Sequence, residues 1–554
     1  MRLLLMTAVT FLLGCNTQTQ QEKPKEKKEP FQIRENTGID FSNTINETYD
    51  TFFEFFSYVY NGGGVAAGDI NNDGLVDLYF TGNQVQDKLY LNKGNFEFED
   101  ISTKSGIAQH SGWCNGVTMS DINQDGFIDI YISRGGFQQG PAERANILYI
   151  NNQDGTFSEK SEEYGLADTG YSNHATFLDV DNDNDLDMYL INRPASFNLP
   201  LSVMAERAAN PPDFSRDKLY INDGSAHFSE VALERGIKNF GYSLGVVAGD
   251  VNDDGWIDIF VTNDYSTPDH LYINQGDGYF KDELHTSMNH TSLYSMGVDL
   301  ADFNNDQMED FIVMEMRPTD YVRSKVSMPS MDVAGFKAIV AAGMHKQYMH
   351  NMLHMNQGQT KFSDVSQLSG LAKTDWSWSP LWYDLNNDGK KDLFITNGMR
   401  RDSFDGDSQD RLTSHIEENK EKYKTPQDLF GSGFKDIIEV FNPIKLPNYY
   451  YVNKGNFEFE QVESSALSMT SFSNGSIVAD LDNDGDLDVV TNNIEDPAFV
   501  LENIGATGNW LKVNLKGPEK NKFGMGAKIY VYSDLGTQYF QQKQPEVIYL
   551  PKTQ

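Results

Sequence analysis

Nine residues from Asp480 to Asp488, Asp-Leu-Asp-Asn-Asp-Gly-Asp-Leu-Asp, set carboxylates at loop positions 1, 3, 5, 7 and 9, with a glycine at position 6. Calcium takes six to eight oxygens, and closely spaced Asp and Asn side chains around a Gly-relieved turn supply them. The chain carries seven such loops, the others starting at Asp69 (DINNDGLVD), Asp121 (DINQDGFID), Asp179 (DVDNDNDLD), Asp250 (DVNDDGWID), Asp302 (DFNNDQMED) and Asp384 (DLNNDGKKD). One copy alone would read as a polar turn, because Asn, Asp and Gly dominate turns. Seven copies with Asp at positions 1, 5 and 9 throughout predict a bound Ca²⁺ in each loop, up to seven in all.

The loops are not EF-hands, which need a bidentate Glu at position 12 and a helix on either side. Position 12 is Phe80, Ile132, Leu190, Val261, Val313, Ile395 or Thr491. Each loop runs instead into a β-branched or aromatic segment such as LVDLYF, FIDIYI or WIDIFV. Strand–strand turns are therefore expected, with the ninth-position Asp already on the second strand.

The elements that must hold these loops repeat with them. Eight residues before the first Asp stands an aromatic in six units: Trp113, Tyr171, Tyr242, Tyr294, Trp376 and Phe472. Five residues before it a glycine recurs, at Gly64, Gly116, Gly245, Gly297 and Gly475; both features are expected in packing between units. Downstream, a short apolar strand ends in Asn92, Asn151, Asn222, Asn274, Asn356 or Asn453, and a phenylalanine follows six residues later. The segment from Phe31 fits the same slot and opens the first unit. Seven units of roughly four strands each, none able to bury both faces alone, predict an all-β fold: a seven-bladed β-propeller over residues 31–504.

The units resemble FG-GAP/VCBS repeats, the calcium-bearing blades of the integrin α-subunit head. The resemblance implies side-chain ligands at positions 1, 3, 5 and 9 and a backbone carbonyl from position 7. The first loop would then use Asp69, Asn71, Asp73 and Asp77 with the Leu75 carbonyl, and the second Asp121, Asn123, Asp125 and Asp129 with Phe127. The third would use Asp179, Asp181, Asp183 and Asp187 with Asp185, and the fourth Asp250, Asn252, Asp254 and Asp258 with Trp256. Asp302, Asn304, Asp306 and Asp310 with Met308 form the fifth, and Asp384, Asn386, Asp388 and Asp392 with Lys390 the sixth. Asp480, Asp482, Asp484 and Asp488 with Asp486 complete the set. The Asp302 loop departs furthest, with Gln307 in place of the glycine, and Asn184 replaces it in the Asp179 loop. Beyond the period, Asn509-Trp510-Leu511 and Gly524-Met525-Gly526-Ala527 resemble the start of an ASPIC/UnbV domain, the small β-module that follows such repeats in the cartilage acidic protein family. That module, over 505–554, lacks the family's distal half.

Residues 1–15 read as an export signal: Arg2, an apolar run from Leu3 to Leu13 too short to span a bilayer, then Gly14-Cys15. The small residue before Cys15 resembles the bacterial lipoprotein box and implies an acylated Cys15, hence an envelope protein anchored in the outer membrane. Residues 16–30 (NTQTQQEKPKEKKEP) read as a disordered tether. With Cys15 in the anchor, Cys114 is left alone and no intramolecular disulfide is possible. The formal charge of −37 disfavours nucleic acid, whose backbone demands clustered Lys and Arg.

Three insertions, 193–216, 317–350 and 399–447, break the rhythm. A helix is expected over 333–345 and another within 400–424, and Arg317, Arg323, Lys325, Arg400 and Arg401 suggest a positive patch. Insertions in repeat proteins often form the binding face. His345, His350 and His354, spaced five and four apart, read as incidental rather than as a metal site. No catalytic residues emerge, for there is no GxSxG elbow, HExxH, Walker A loop or Rossmann fingerprint. The sequence thus predicts a calcium-binding, lipid-anchored propeller with a protein or glycan partner. The alternative is a calcium-dependent glycan-cleaving enzyme, similar to polysaccharide lyases, with its site on the inserted loops.

Overall fold

The computed structural model describes residues 29–552, apart from 54, 108–111, 137–138, 198, 266, 328–332, 426–427, 507, 534–535 and 544–547. The expected export signal, Cys15 and all but the last two residues of the tether lie outside the described residues. Seven antiparallel sheets of four strands each, two extended by a further short strand, form the propeller. Their innermost strands, among them Val65–Gly68, Cys114–Ser120, Ser172–Leu178 and Tyr242–Gly249, line one central cavity of about 400 Å³.

The acidic loop fixes the register of every blade. The residue before the loop pairs with the loop's ninth residue in all seven: Gly68 with Asp77, Ser120 with Asp129, Leu178 with Asp187, Gly249 with Asp258, Ala301 with Asp310, Tyr383 with Asp392 and Ala479 with Asp488. The runs DLYF and DIYISR are buried on both faces, so a one-residue slip would exchange the faces and set every side chain against the wrong neighbouring blade. The second strand begins at the ninth-position Asp, as the sequence predicts.

The ring closes in a way the period conceals. Phe31–Ile33 pairs with Phe499–Asn503, in the register Phe31 to Asn503, and serves as the outermost strand of the last blade. Each phenylalanine-led strand likewise belongs to the blade before the loop that follows it. The sequence unit is therefore offset from the blade by one strand, and chain ends far apart in sequence share a sheet.

The asparagine ending each third strand sews blade to blade. Its backbone N–H donates to the ninth-position Asp of its own loop at 2.7–2.9 Å in all seven blades. In six of them the side-chain amide also donates, at 2.6–2.9 Å, to the second-position carbonyl of the preceding loop: Leu481, Ile70, Val180, Val251, Phe303 and Leu385. Asn222 donates to Leu186 of its own blade, at 3.2 Å.

Antiparallel order puts the seven acidic loops at one end of the ring, and the connections from second to third strand at the other. All three insertions join second to third strands, so all three lie opposite the acidic loops. They carry helices Leu201–Ala209, Val333–Ala341 and Gly406–Glu418, the last capped by Asp405 accepting from Asp407 and Ser408 N–H. Of the recurring aromatics, Tyr294 does meet the neighbouring blade, at Tyr265 6.0 Å away, while three others pack on segments at this end of the ring. Trp113 meets Phe56 at 5.0 Å, Tyr242 stacks on Phe197 at 5.9 Å and Trp376 meets Phe404 at 5.4 Å. The recurring glycines do mark close approach between blades: a Cβ at Gly297 would sit 1.9 Å from the Trp378 carbonyl oxygen. Nor do the insertion arginines form an open positive patch. Arg401 grips Glu47 through two bonds of 2.9 and 2.7 Å, Arg400 lies 3.5 Å from Glu47, and Arg323 binds Asp375. These pairs fasten the insertions to neighbouring segments and neutralise the charge locally.

The stitching makes a differential prediction. Asn453→Ala strips Phe303, Lys391 and Gly455 of their partner and should cost about 2–3 kcal/mol in denaturant melts. Asn222→Ala also strips three groups, the Leu186 carbonyl and the Gly224 and Ala226 N–H, but all within its own blade, and should cost about 1 kcal/mol less. Equal costs would contradict the inter-blade role.

Candidate functional site: the rim of acidic loops

Every loop has the same internal wiring. The first-position Asp accepts the position-6 N–H in all seven, from Gly74, Gly126, Asn184, Gly255, Gln307, Gly389 and Gly485. The fifth-position Asp accepts the position-7 N–H in all seven, from Leu75, Phe127, Asp185, Trp256, Met308, Lys390 and Asp486. Asn71, Asn123, Asn252 and Asn304 at position 3 donate to the Asp at position 5. The turn needs a left-handed residue at position 6. Glycine fills it at φ 86 to 92°, while Asn184 and Gln307 adopt φ 70° and 71°. The Asp302 loop thus keeps the shared geometry, at the strain of a left-handed Gln.

Carboxylates converge inside this frame. Asp179, Asp181 and Asp187 bring one oxygen each within 4.8 Å of one another, and so do Asp480, Asp482 and Asp488. These are the two loops with Asp at positions 1, 3 and 9; elsewhere position 3 is Asn. Burial, with like charges alongside, pushes the carboxyls up. Asp121, Asp179, Asp302, Asp384 and Asp482 rise to about 6, and Asp129, Asp187, Asp258 and Asp486 to about 8. Buried carboxylates this close repel one another unless a cation sits among them. In the third loop one oxygen each of Asp179, Asp181 and Asp185 is buried without a hydrogen-bond partner, as is one of Asp121 in the second. A hard cation would satisfy these oxygens, so the residues present fit one. In the sixth loop Lys390 lies 3.3 Å from Asp388 and supplies part of that charge itself.

Position 4, which carries no ligand in the predicted set, links the loops into a belt. It is left-handed in all seven, at φ 57 to 65°. Asn72 donates to the Gly126 carbonyl, Asn182 to Gly255, Asn305 to Gly389, Asn387 to Gly485 and Asn483 to Gly74, at 2.9–3.4 Å. The other two loops have Gln124 and Asp253 there. Asn at position 4 in five of seven loops was the available signal, but any turn asparagine looks the same in sequence.

The strands after the ring cover this rim. Asn509–Val513 pairs with Ile548–Lys552, and Lys528–Ser533 with Gly536–Gln541. Their lysines reach the acidic loops: Lys520 to Asp185 at 3.0 Å, Lys528 to Asp250 and Asp253 at 2.6 Å, Lys543 to Glu309 at 2.7 Å. Met525, Gly526, Gln541, Gln542 and Lys543 join the lining of the central cavity.

Seven blades around one cavity, each opened by an acidic loop, make a seven-bladed β-propeller that carries FG-GAP-like repeats. The FG-GAP-like repeat matches residues 56–132, 139–190, 250–313 and 428–491, which contain every acidic loop except that at Asp384. The chain is similar to human cartilage acidic protein 1, 24% identical over 487 residues, and to cartilage acidic protein 1 of Xenopus tropicalis, 22% identical over 488. Each match covers 85% of this chain but 62% and 64% of the relatives, so the chain spans under two thirds of their length. Among solved structures, the Bacillus licheniformis rhamnogalacturonan lyase PL11 aligns at 9% identity and TM-score 0.36, over 80% of this chain and 72% of that one.

The belt yields a gain-of-stability test. The Gln124 amide nitrogen is buried without a partner, where five loops place a bonded asparagine. Gln124→Asn should restore a donor toward the next loop and add about 1 kcal/mol, seen as a raised melting temperature. A lowered or unchanged melt would show that the belt contributes nothing at this joint.

Proposed function

We propose that this protein is an exported, lipid-anchored envelope propeller whose acidic rim holds calcium and whose opposite end binds a protein or glycan partner. The observation that carries this reading is the division between the two ends of the ring. At one end the loops offer only oxygen donors and lie beneath the C-terminal strands and their lysines. At the other, the insertions present exposed apolar side chains: Tyr321 (75% exposed), Val322 (65%) and Val333 (58%). Exposed apolar groups on one inserted segment are what a partner would cover.

Calcium here is a fastener. It has no redox chemistry, and the ring of donors would leave little room for substrate. The residues predicted at positions 1, 3, 5 and 9 would hold it, with the position-7 carbonyl. Extracellular calcium modules bind with dissociation constants of about 10⁻⁴–10⁻³ M. At about 1 mM calcium, each site then adds about 0.4–1.4 kcal/mol. Attachment to the membrane rests on Cys15, where each buried methylene of an acyl chain adds about 0.8 kcal/mol. No helix among the described residues is long and apolar enough to cross a membrane.

Two measurements test the reading. Chelation with EGTA should lower the melting temperature substantially, and restoring calcium should recover it; an unchanged melt would refute the fastener. Removing 399–447 is not a clean test of the binding face, because Ile437, Ile438 and Phe441 belong to the largest core cluster. The triple variant Tyr321→Ser, Val322→Ser, Val333→Ser should instead leave stability within about 0.5 kcal/mol per site, since these side chains are exposed. It should lose whatever the wild type captures from envelope extract in calcium. Retained capture would exclude this face. New reducing ends or unsaturated products from a polysaccharide would replace binding by the glycan-cleaving alternative.

A further inference from the structure

The histidine run near residue 350 divides in the fold. His345 turns to His285, with the two Nδ1 atoms 3.1 Å apart, and its Nε2 faces the Met288 carbonyl at 3.1 Å. The carbonyl requires the proton on His345 Nε2, which leaves its Nδ1 to accept from His285, so that pair is satisfied internally. His350 belongs to a different group. A two-stranded parallel sheet, Thr291–Ser292 with Gln347–Tyr348, brings His290 beside His350 from sixty residues away in sequence. Asp364 closes the group from the last position of the outer strand Phe362–Asp364.

The donor atoms of these three residues meet. Asp364 Oδ2 lies 3.2 Å from His290 Nε2 and 3.1 Å from His350 Nε2, and the three side chains gather within 4.8 Å. Zinc bonds of about 2.0–2.1 Å in a tetrahedron set neighbouring donors about 3.3 Å apart, close to this spacing. A second observation is independent of it. His354 stands directly across from Asp364 in the strand pairing, with its ring 6.4 Å from that of His290. It is 2% exposed, and its Nε2 is buried without a hydrogen-bond partner. Buried polar atoms are nearly always satisfied, and this orphaned nitrogen, next to the three donors but outside their 4.8 Å group, shows that the polar pocket around them is not balanced by protein groups alone. His290 keeps 27% of its side chain exposed, which gives an ion a way in.

We propose that His290, His350 and Asp364 bind one divalent transition-metal ion, best matched by zinc, with His354 flanking the three ligands rather than joining them. Two imidazoles and one carboxylate suit zinc, copper or nickel, whereas the acidic loops offer only oxygen and suit calcium. The site lies on the outer strands of the fifth blade, at the foot of the 317–350 insertion, apart from the rim. Its role would be to clip that insertion to the blade.

The test uses the full protein, stripped of metal and then held in 1 mM calcium so that the rim is occupied. Zinc is added in a titration, with Co²⁺ in parallel for its visible bands in tetrahedral sites. One zinc should bind per chain, and the cobalt bands should show nitrogen coordination. His350→Ala and Asp364→Asn should each weaken zinc at least about 100-fold. His290→Gln, at the most exposed ligand, serves where the other variants fail to fold and should weaken zinc likewise. His345→Gln, outside the group, should leave zinc binding intact. Absence of zinc binding in calcium, or equal affinity in wild type and His290→Gln, would overturn the proposal. Loss of zinc with an unchanged calcium-dependent melt would separate this site from the rim.

Discussion

The structure depends on the ninth-position aspartate of each loop. One of its oxygens accepts the N–H of the asparagine that ends the third strand, in every blade. In six blades the other accepts the N–H of the loop's second residue. A single carboxylate thereby ties the loop's entry, the second strand and the third strand together. The asparagine it orients passes the connection to the preceding blade. Because the same residue borders the acidic loop, blade geometry and charge density at the rim cannot vary independently.

That coupling sets the electrostatic problem. Three to five carboxylates crowd into each nine-residue loop, and burial raises many of them toward neutrality. The chain counters this with backbone N–H groups, with the position-4 belt, and with lysines from the strands beyond the ring. Lys520 serves the third loop, one of the two richest in Asp, and Lys528 the fourth, where Asp253 interrupts the belt. These devices still leave buried oxygens of Asp121, Asp179, Asp181 and Asp185 without partners. A divalent ion would complete what the protein's own groups begin.

Much of this was legible in the sequence, because the loop and its flanks recur seven times and repetition turns weak signals into strong ones. The count of blades, the second strand starting at the ninth Asp, and the helices at Val333–Ala341 and Gly406–Glu418 follow from local pattern. What stayed hidden depends on distance in sequence. The pairing of Phe31–Ile33 with Phe499–Asn503 cannot be read from a period that assigns Phe31 to the first unit. The aromatics at Trp113, Tyr242 and Trp376 gave the right burial but the wrong neighbour, since Phe197 and Phe404 lie on insertions and Phe56 on the segment leading into the first inner strand. Arg400 and Arg401 read as part of a patch because Glu47, their partner, is over three hundred residues away, and Arg323 because Asp375 meets it from the next blade's inner strand. His290 and Asp364 join His350 only through a parallel pairing and a sheet edge.

Native mass spectrometry of the folded chain in calcium bears most directly on the claim that metal holds this rim together. The account predicts a ladder of bound calcium reaching about seven per chain, with one step lost when Asp179 and Asp181 are both changed to Asn. A chain that stays folded while carrying no calcium, or that keeps its full complement in the double variant, would contradict it.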